Sequence, residues 1–406
     1  MNQLQHARLP QNPRLLWRIL LPVAVAAGFA SPAARSSAAE IPPPAALATE
    51  TSDVAQLLPA GPHRVFVMGP PMSGGANVID GDSPDLKVQG LVPAHMGDLI
   101  VSPDASRIYV AETFYAHENR GKREDVLAVY DGRTLNLTQE ISIPGRLIVV
   151  PKAHVLEISA DGRLGYVYDM VPGSRVHVVD LEQGAVIASV DLPGCALALP
   201  YGPRAFATLC GDGTVGAIIL PDSGAGAASV KFSKPFFDAN EDPLFESSQV
   251  DKTTGEGWFL SFSGQVFPVK FGTSPEVGKS WTLTEAAGLT PAGTGVQELA
   301  WRPGAFGQVM ALHASTKRLF VLMHTGNYWT HKANGTEVWV LDTRKRELLR
   351  RITLDEPARS IAVSQDDAAQ LYVSGADGDF SVIDANTGEK LHKRKLPAGI
   401  AMVAGQ

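Results

Sequence analysis

The sequence predicts an all-β fold: a seven-bladed β-propeller of four-stranded antiparallel blades, its ring closed by the C-terminal strand. Three observations predict it. A phrase of a short apolar strand, often an Asp, a turn and a second strand recurs seven times, anchored at Asp80, Asp131, Asp180, Leu220, Phe271, Asp342 and Asp384. The mean period is about 51 residues, in the range of repeat architectures. Six of the seven copies follow a hairpin of alternating residues with a polar turn, as at Leu156–Ser159, Ala160–Arg163 and Gly165–Tyr168. Alternation flanking Asp, Gly and Ser turns reads as antiparallel strands, so each unit holds four strands, the content of one blade. Finally, the first unit has strands at Arg64–Met68 and Ala76–Ile79 but lacks one, and Ile400–Val403 near the C-terminus is a spare that would remove the open edge.

The clearest copies are LAVYDGRTLNLTQEISIPG at 127–145, VHVVDLEQGAVIASVDLPG at 176–194 and VWVLDTRKRELLRRITL at 338–354. The propeller is expected over residues 61–406, after an Ala- and Pro-rich arm at 40–60. Residues 1–39 read as a secretory signal peptide. They contain Arg8, Arg14, Arg18 and Arg35 and no acid, then an apolar run from Ile19 to Ala30, then small residues ending at Ser37-Ala38-Ala39. A membrane anchor is the alternative, but the run is too short to span roughly 30 Å of hydrocarbon. The expectation is export to the periplasm.

Removing the leader removes four positive charges, so the formal net charge goes from −7 to −11. An acidic chain disfavours nucleic acid and anionic membranes as partners. The two cysteines, Cys195 and Cys210, read as a disulfide in an exported chain, with two buried thiols as the alternative.

Motifs for self-contained chemistry fail. Gly211-Asp212-Gly213-Thr214-Val215-Gly216 has the GxGxxG spacing, but it joins two strands where a dinucleotide site needs a helix. GxSxG, GxxxxGK[ST], HExxH and CxxCH are absent, and the histidines show no metal-ligand spacing. Glu118, Glu124 and Asp125 beside Lys122 and Arg123 read as a solvated charged loop. No catalytic residue and no metal site are expected in this chain.

The second-to-third-strand connections of a propeller emerge on one face. Three are long: Gly69–Gly75, Phe114–Glu124 and His324–Thr336. They hold Met72, Tyr115, His117, Asn119, Arg120, Lys122, Arg123, Tyr328, Trp329, His331 and Lys332. Aromatic and basic residues on one face of an acidic protein suggest an interface; loops without a partner are the alternative.

At RGKREDVLAVYD (120–131), GCALALPYGPRAFATLCGDG (194–213), WRPGAFGQVMALHASTKRLFVLM (301–323) and WTHKANGTEVWVLD (329–342) the chain resembles the heavy subunit of the tryptophan-tryptophylquinone amine dehydrogenases, the methylamine and aromatic amine enzymes. The likeness extends over roughly residues 60–400. It implies a heterotetramer of two heavy and two light chains, with the tryptophan tryptophylquinone and the base on the light chain. It implies oxidation of a primary amine to aldehyde and ammonia, and electron transfer to a blue-copper protein of the amicyanin or azurin type. This chain would seat the light chain through Tyr115, Arg120, Lys122, Arg123, Tyr328, Trp329 and His331, and wall the substrate channel. Family members carry a Phe at the channel mouth; here the loop Gly69–Gly75 has no aromatic, and Met72 is the candidate for the lip. Two rival classes are a stand-alone propeller acting as a binding or assembly module, and a metal-dependent propeller hydrolase of the lactonase kind. The second would need inward carboxylates converging on an ion, for which no pattern exists.

Overall fold

Strands here are apolar on both faces because sheets pack against sheets on both sides. Ile108 and Val110 enter one core with Leu99, Val78 and Phe66, while Tyr109 between them enters another with Leu156, Val167 and Val179. In a computed structural model the described residues are 56–69, 75–94, 98–118, 120–145, 152–170, 173–222, 227–295, 297–396, 399 and 401–404. They all fall in the compact unit Val54–Gln406. The signal peptide at 1–39, most of the arm at 40–60 and Met72 lie outside the described residues.

The strands form six antiparallel sheets. The first pairs Ala401–Ala404, Arg64–Met68, Ala76–Asp80 and Val88–Val92. The second is Asp98–Val101, Arg107–His117, Arg120–Asp131 and Leu137–Ser142; the third is Leu156–Ile158, Leu164–Asp169, Arg175–Asp180 and Ala185–Asp191. The fourth is Cys195–Tyr201, Ala205–Cys210, Val215–Ile219 and Ser229–Phe232. The fifth has Gln249–Val250, Glu256–Leu260, Gln265–Lys270, Glu276–Val277 and, off its path, Trp281–Thr282. The sixth is continuous, with eight strands between Ala300–Pro303 and Lys390–Lys395.

This corrects the expectation of seven four-stranded blades: five sheets have blade size, and only some of them have four strands. The reason is the 17-residue strand Glu347–Val363. Its first half pairs with Gly335–Asp342 and its second half with Gln370–Gly375, so no turn separates the last two repeats. The repeat in the sequence counts strand–turn–strand phrases, and two phrases share one sheet.

Neighbouring sheets pack face to face in a cycle. Val65, Val67 and Ile79 of the first sheet share a core with Ala362, Tyr372 and Phe380 of the sixth. His63 clasps this junction: Nδ1 lies 2.7 Å from Asp82 Oδ1 and Nε2 lies 3.2 Å from Asp366 Oδ2. Gln370 Nε2 donates to Asp82 at 2.9 Å, and the Tyr372 hydroxyl donates to the His63 carbonyl at 3.1 Å. Outward, burial falls away: most of Leu137–Ser142 and of Lys390–Lys395 is exposed.

The recurring aspartates cap tight turns. Asp131, Asp180, Asp342 and Asp384 each accept backbone N–H groups two and three residues on. Asp104 and Asp161 do the same work at the first-to-second-strand turns, each also accepting a serine hydroxyl two residues back. These Asx turns present φ-tolerant, self-satisfied backbone, and antiparallel order puts all of them on one face.

Cys195 and Cys210 are directly opposed partners of adjacent strands and form a disulfide. Closing a loop of 15 residues is worth about 3 kcal/mol of stability through the unfolded chain. The double variant Cys195→Ser, Cys210→Ser should therefore unfold at a lower denaturant midpoint. An unchanged midpoint would show that the bridge contributes nothing to folding.

Candidate functional site

The two ends of the sheets differ. The Asx-turn face is tight. The opposite face carries a projecting hairpin at 112–124 and long segments at 233–248, 284–309 and 327–334. Its segments expose Phe114, Met170, Leu289, Leu299, Phe306 and Trp329. Single exposed apolar residues are ordinary; six of them fall on the loop-rich side.

The expected loop Phe114–Glu124 is in fact mostly a ribbon: Phe114 pairs with Glu124, Tyr115 with Arg123 and His117 with Arg120. The ribbon is anchored at its base, where the Thr113 hydroxyl and Arg123 Nε both donate to the buried Asp125 carboxylate, the latter at 2.7 Å. Arg123 is thereby engaged within the chain. Lys122 pairs with Glu124 at 2.6 Å in full solvent, a contact of small value. Arg120 is exposed, Tyr115 half-buried. Phe114 carries the exposed apolar surface of the ribbon, although its sequence neighbours gave no signal of that.

Tyr328 was expected to offer an exposed aromatic contact, but it is 3% exposed. Its hydroxyl donates to the Glu241 carbonyl and lies 3.2 Å from Asp242 Oδ1. Arg302 sits over its ring at 5.4 Å. Burial, with Asp242 close by, pushes the Tyr328 hydroxyl far above its ordinary range. Trp329 is the exposed anchor, at 51%. Its indole meets Tyr328 edge-on at 4.7 Å and Phe262 at 6.2 Å. His331 stacks on Phe262 at 3.9 Å, and burial followed by Lys332 lowers its pKa. His324 beneath the loop is pushed down to about 4, first by burial and then by Arg302. Its Nε2 donates to the Thr330 hydroxyl at 2.8 Å, since that hydroxyl itself donates to Asn327 O.

A second polar cluster lies where the inner strands of the second, third and fifth sheets approach. Glu157 is buried, and burial would raise it. Lys252 Nζ at 2.9 Å and His154 Nδ1 at 2.8 Å outweigh that and hold it at about 2. Burial, against a hydrogen bond from Leu99 N–H and with Glu157 adding to it, pushes Asp98 well above the usual carboxylate range. A cavity of about 730 Å³ opens toward the Asx-turn face, lined by Met310, Ile361, Met402, Gln308, Lys252 and Lys317. Lys317 is already bridged to Asp251 and Glu256, both at 2.6 Å.

Among the described residues no group of three or more His, Cys, Asp and Glu is placed to hold a metal ion, and no helix is long and apolar enough to cross a membrane. Trp301 and Trp339 pair at 5.5 Å, but Trp339 is fully buried, its indole N–H donates to Glu337, and Arg351 covers both rings.

The architecture is that of an all-β propeller scaffold with one loop-rich face. The chain belongs to the methylamine dehydrogenase heavy chain family, whose family model matches residues 62–400. The methylamine dehydrogenase heavy chain of Methylophilus methylotrophus is 29% identical, over 81% of this chain and 79% of that one. That of Methylobacillus flagellatus is 27% identical over 83% and 82%, and that of Methylorubrum extorquens 27% over 93% and 92%. Among solved structures, a functionally unknown protein from Desulfotomaculum acetoxidans matches with a TM-score of 0.57 at 10% identity, covering 84% of this chain and 98% of that chain. Dihydro-heme d1 dehydrogenase NirN matches with a TM-score of 0.50 at 16% identity, covering 86% and 66%. Both likenesses concern the fold alone.

The charge cluster yields a pH-dependent outcome. Glu157 titrates lower folded than at its ordinary 4.5, so its contribution is complete above that value and disappears as pH falls through about 2. At pH 7, Glu157→Gln should cost about 3 kcal/mol, because Lys252 loses a buried partner. Denaturant titrations should show the gap from the wild type closing between about pH 4.5 and 2. Asp98 has the opposite sign: its ionisation opposes folding as pH rises above the ordinary carboxylate value. Asp98→Asn should therefore raise stability at neutral pH, and a fall there would show that the Asp98 carboxylate stabilises the fold.

Proposed function

We propose that this chain is the large subunit of a periplasmic amine dehydrogenase, a subunit that seats a light chain and walls its substrate channel without carrying the quinone. The observation that carries the reading is the exposed apolar set on the loop-rich face, with Trp329 packed edge-on against Tyr328 and Phe262. Family membership supplies the partner: a light chain whose two tryptophans form the tryptophan tryptophylquinone. The chain's own tryptophan pair does not fit that role, since Trp339 is sealed under Arg351 and reaches neither amine nor solvent. The reaction in this reading converts a primary amine to aldehyde and ammonia, and a blue-copper protein of the amicyanin or azurin type takes the electrons. Two heavy and two light chains make the assembly. The Arg-bearing leader supports periplasmic export.

Within the seat, Trp329 is the central contact and Phe114 the contact of the ribbon. Arg120, exposed on the ribbon, is placed for a charge-assisted hydrogen bond with the light chain, while Arg123 and Lys122 are paired internally and help shape the ribbon. Tyr328 and His331 act from below, as supports for Trp329. Met72 sits at the lip of the channel in this reading, where a flexible thioether gates less rigidly than a ring.

Purified alone, the chain should show neither quinone absorbance nor amine oxidation with an artificial electron acceptor; activity of the isolated chain would overturn the reading in favour of a self-sufficient enzyme. Trp329→Ala should weaken light-chain affinity by about 30-fold, the usual effect of truncating a central aromatic anchor, with the melting temperature preserved. Met72→Phe should alter the preference between small and aromatic amines while sparing assembly. Unchanged affinity and an unchanged amine profile in these two variants would place the light chain elsewhere.

A further inference from the structure

Arg302 is an expensive residue to bury. It is 1% exposed, and no carboxylate pairs with it among the described residues. All its hydrogen bonds go to backbone carbonyls: Nε to Gly326 at 3.2 Å, and Nη2 to Gly293 at 2.7 Å and Glu298 at 3.3 Å. Nη1 has no hydrogen-bond partner among the described residues. Burial pushes the guanidinium below its usual range. Glu298 and Asp242 favour its charge without a side-chain bond to it, so backbone carbonyls alone fix its position.

The carbonyls it holds share a location. Gly326 opens the segment that carries Trp329. Gly293 and Glu298 belong to the segment that exposes Leu289 and Leu299. Tyr328, under the guanidinium, reaches the third segment through Glu241 and Asp242. Asp242 in turn accepts the backbone N–H of Ser263 at 2.8 Å and its hydroxyl at 2.6 Å, next to the Phe262 ring on which His331 stacks. Trp329 stands above this assembly with a φ of +28°, a left-handed conformation that a bulky L-residue keeps only when its surroundings over-determine it. The planar fork of one guanidinium joins two separate segments directly and meets a third through the Tyr328 ring, a geometry an ammonium cannot copy.

We propose that Arg302 is the positioning residue of the docking face: it holds Trp329 and the segments around it in the shape that the light chain binds, and its planar fork serves recognition. This rests on the reading of the loop-rich face as the light-chain seat. Preorganisation of this kind raises affinity by removing the ordering of loops from the binding step.

The test uses the heavy chain with its light chain, in four variants: Arg302→Met, Arg302→Lys, Trp329→Ala, and Arg302→Met with Trp329→Ala. Light-chain affinity and heavy-chain melting temperature are measured for each. Arg302→Met should weaken affinity at least tenfold while the heavy chain still folds, with some loss of melting temperature from the carbonyls left unpaired. Arg302→Lys keeps the charge but loses the fork, and should weaken affinity as much. Adding Arg302→Met to Trp329→Ala should cost little further affinity, because the arginine acts through the tryptophan. A lowered melting temperature with unchanged affinity would make Arg302 a purely structural residue. Full additivity of the two losses would also overturn the inference while leaving the seat in place. If Trp329→Ala alone leaves affinity untouched, the seat itself is wrong and the inference falls with it.

Discussion

The rest of the structure depends on closing a cycle of sheet-to-sheet packing. A sheet that is apolar on both faces cannot stand at the end of a stack, because one face would meet water. The first and sixth sheets therefore pack on each other, with Val65, Val67 and Ile79 against Tyr372 and Phe380. The polar clasp around His63 lies at the rim of that contact, where the imidazole sits between Asp82 and Asp366. Asp82 belongs to the first sheet and Asp366 to the sixth, so the full clasp forms only when these two sheets have met.

A division of labour between the two faces follows from how the chain turns. On one face, aspartates satisfy the backbone of many reversals within three residues, which leaves little spare polar capacity and little reach. The other face holds the connections that are free to lengthen, the usual location of binding residues on a rigid scaffold. Length alone does not create order, however. The ribbon at 112–124 is ordered by Asp125 below it, and the Trp329 segment by Arg302 and Tyr328. In both cases a buried polar group fixes an exposed apolar one.

The sequence disclosed what is settled locally. Asp131, Asp180, Asp342 and Asp384 cap their own turns, so the strand–turn–strand phrase was visible without any knowledge of partners. The cysteine pairing was legible for the same reason, because Cys195 and Cys210 flank a single hairpin. The number of sheets was not legible. Whether Glu347–Val363 breaks at Leu354–Pro357 is decided by what pairs on either side of it, and the strand runs through Pro357 into the following repeat. The candidate site was half legible. That residues 324–336 form a distinctive segment could be read from its aromatic content. Which of Tyr328 and Trp329 faces solvent could not, because Arg302 and Asp242, distant in sequence, draw the tyrosine inward. Phe306 and Met170 went unnoticed because an apolar residue beside a strand ordinarily belongs to the core.

The pairing of Ala401–Ala404 with Arg64–Met68 bears on how the molecule is made. The innermost strand of the first sheet is encoded far downstream of the three strands it completes. While the chain is being synthesised, that sheet waits with an open edge until the intervening sheets exist. Long-range pairing of this sort is slow to form and leaves sticky edges in the meantime. Holding the chain unfolded until it is whole would spare it this stage, so a route that delivers the polypeptide extended and lets it collapse afterwards suits this topology better than folding as it emerges.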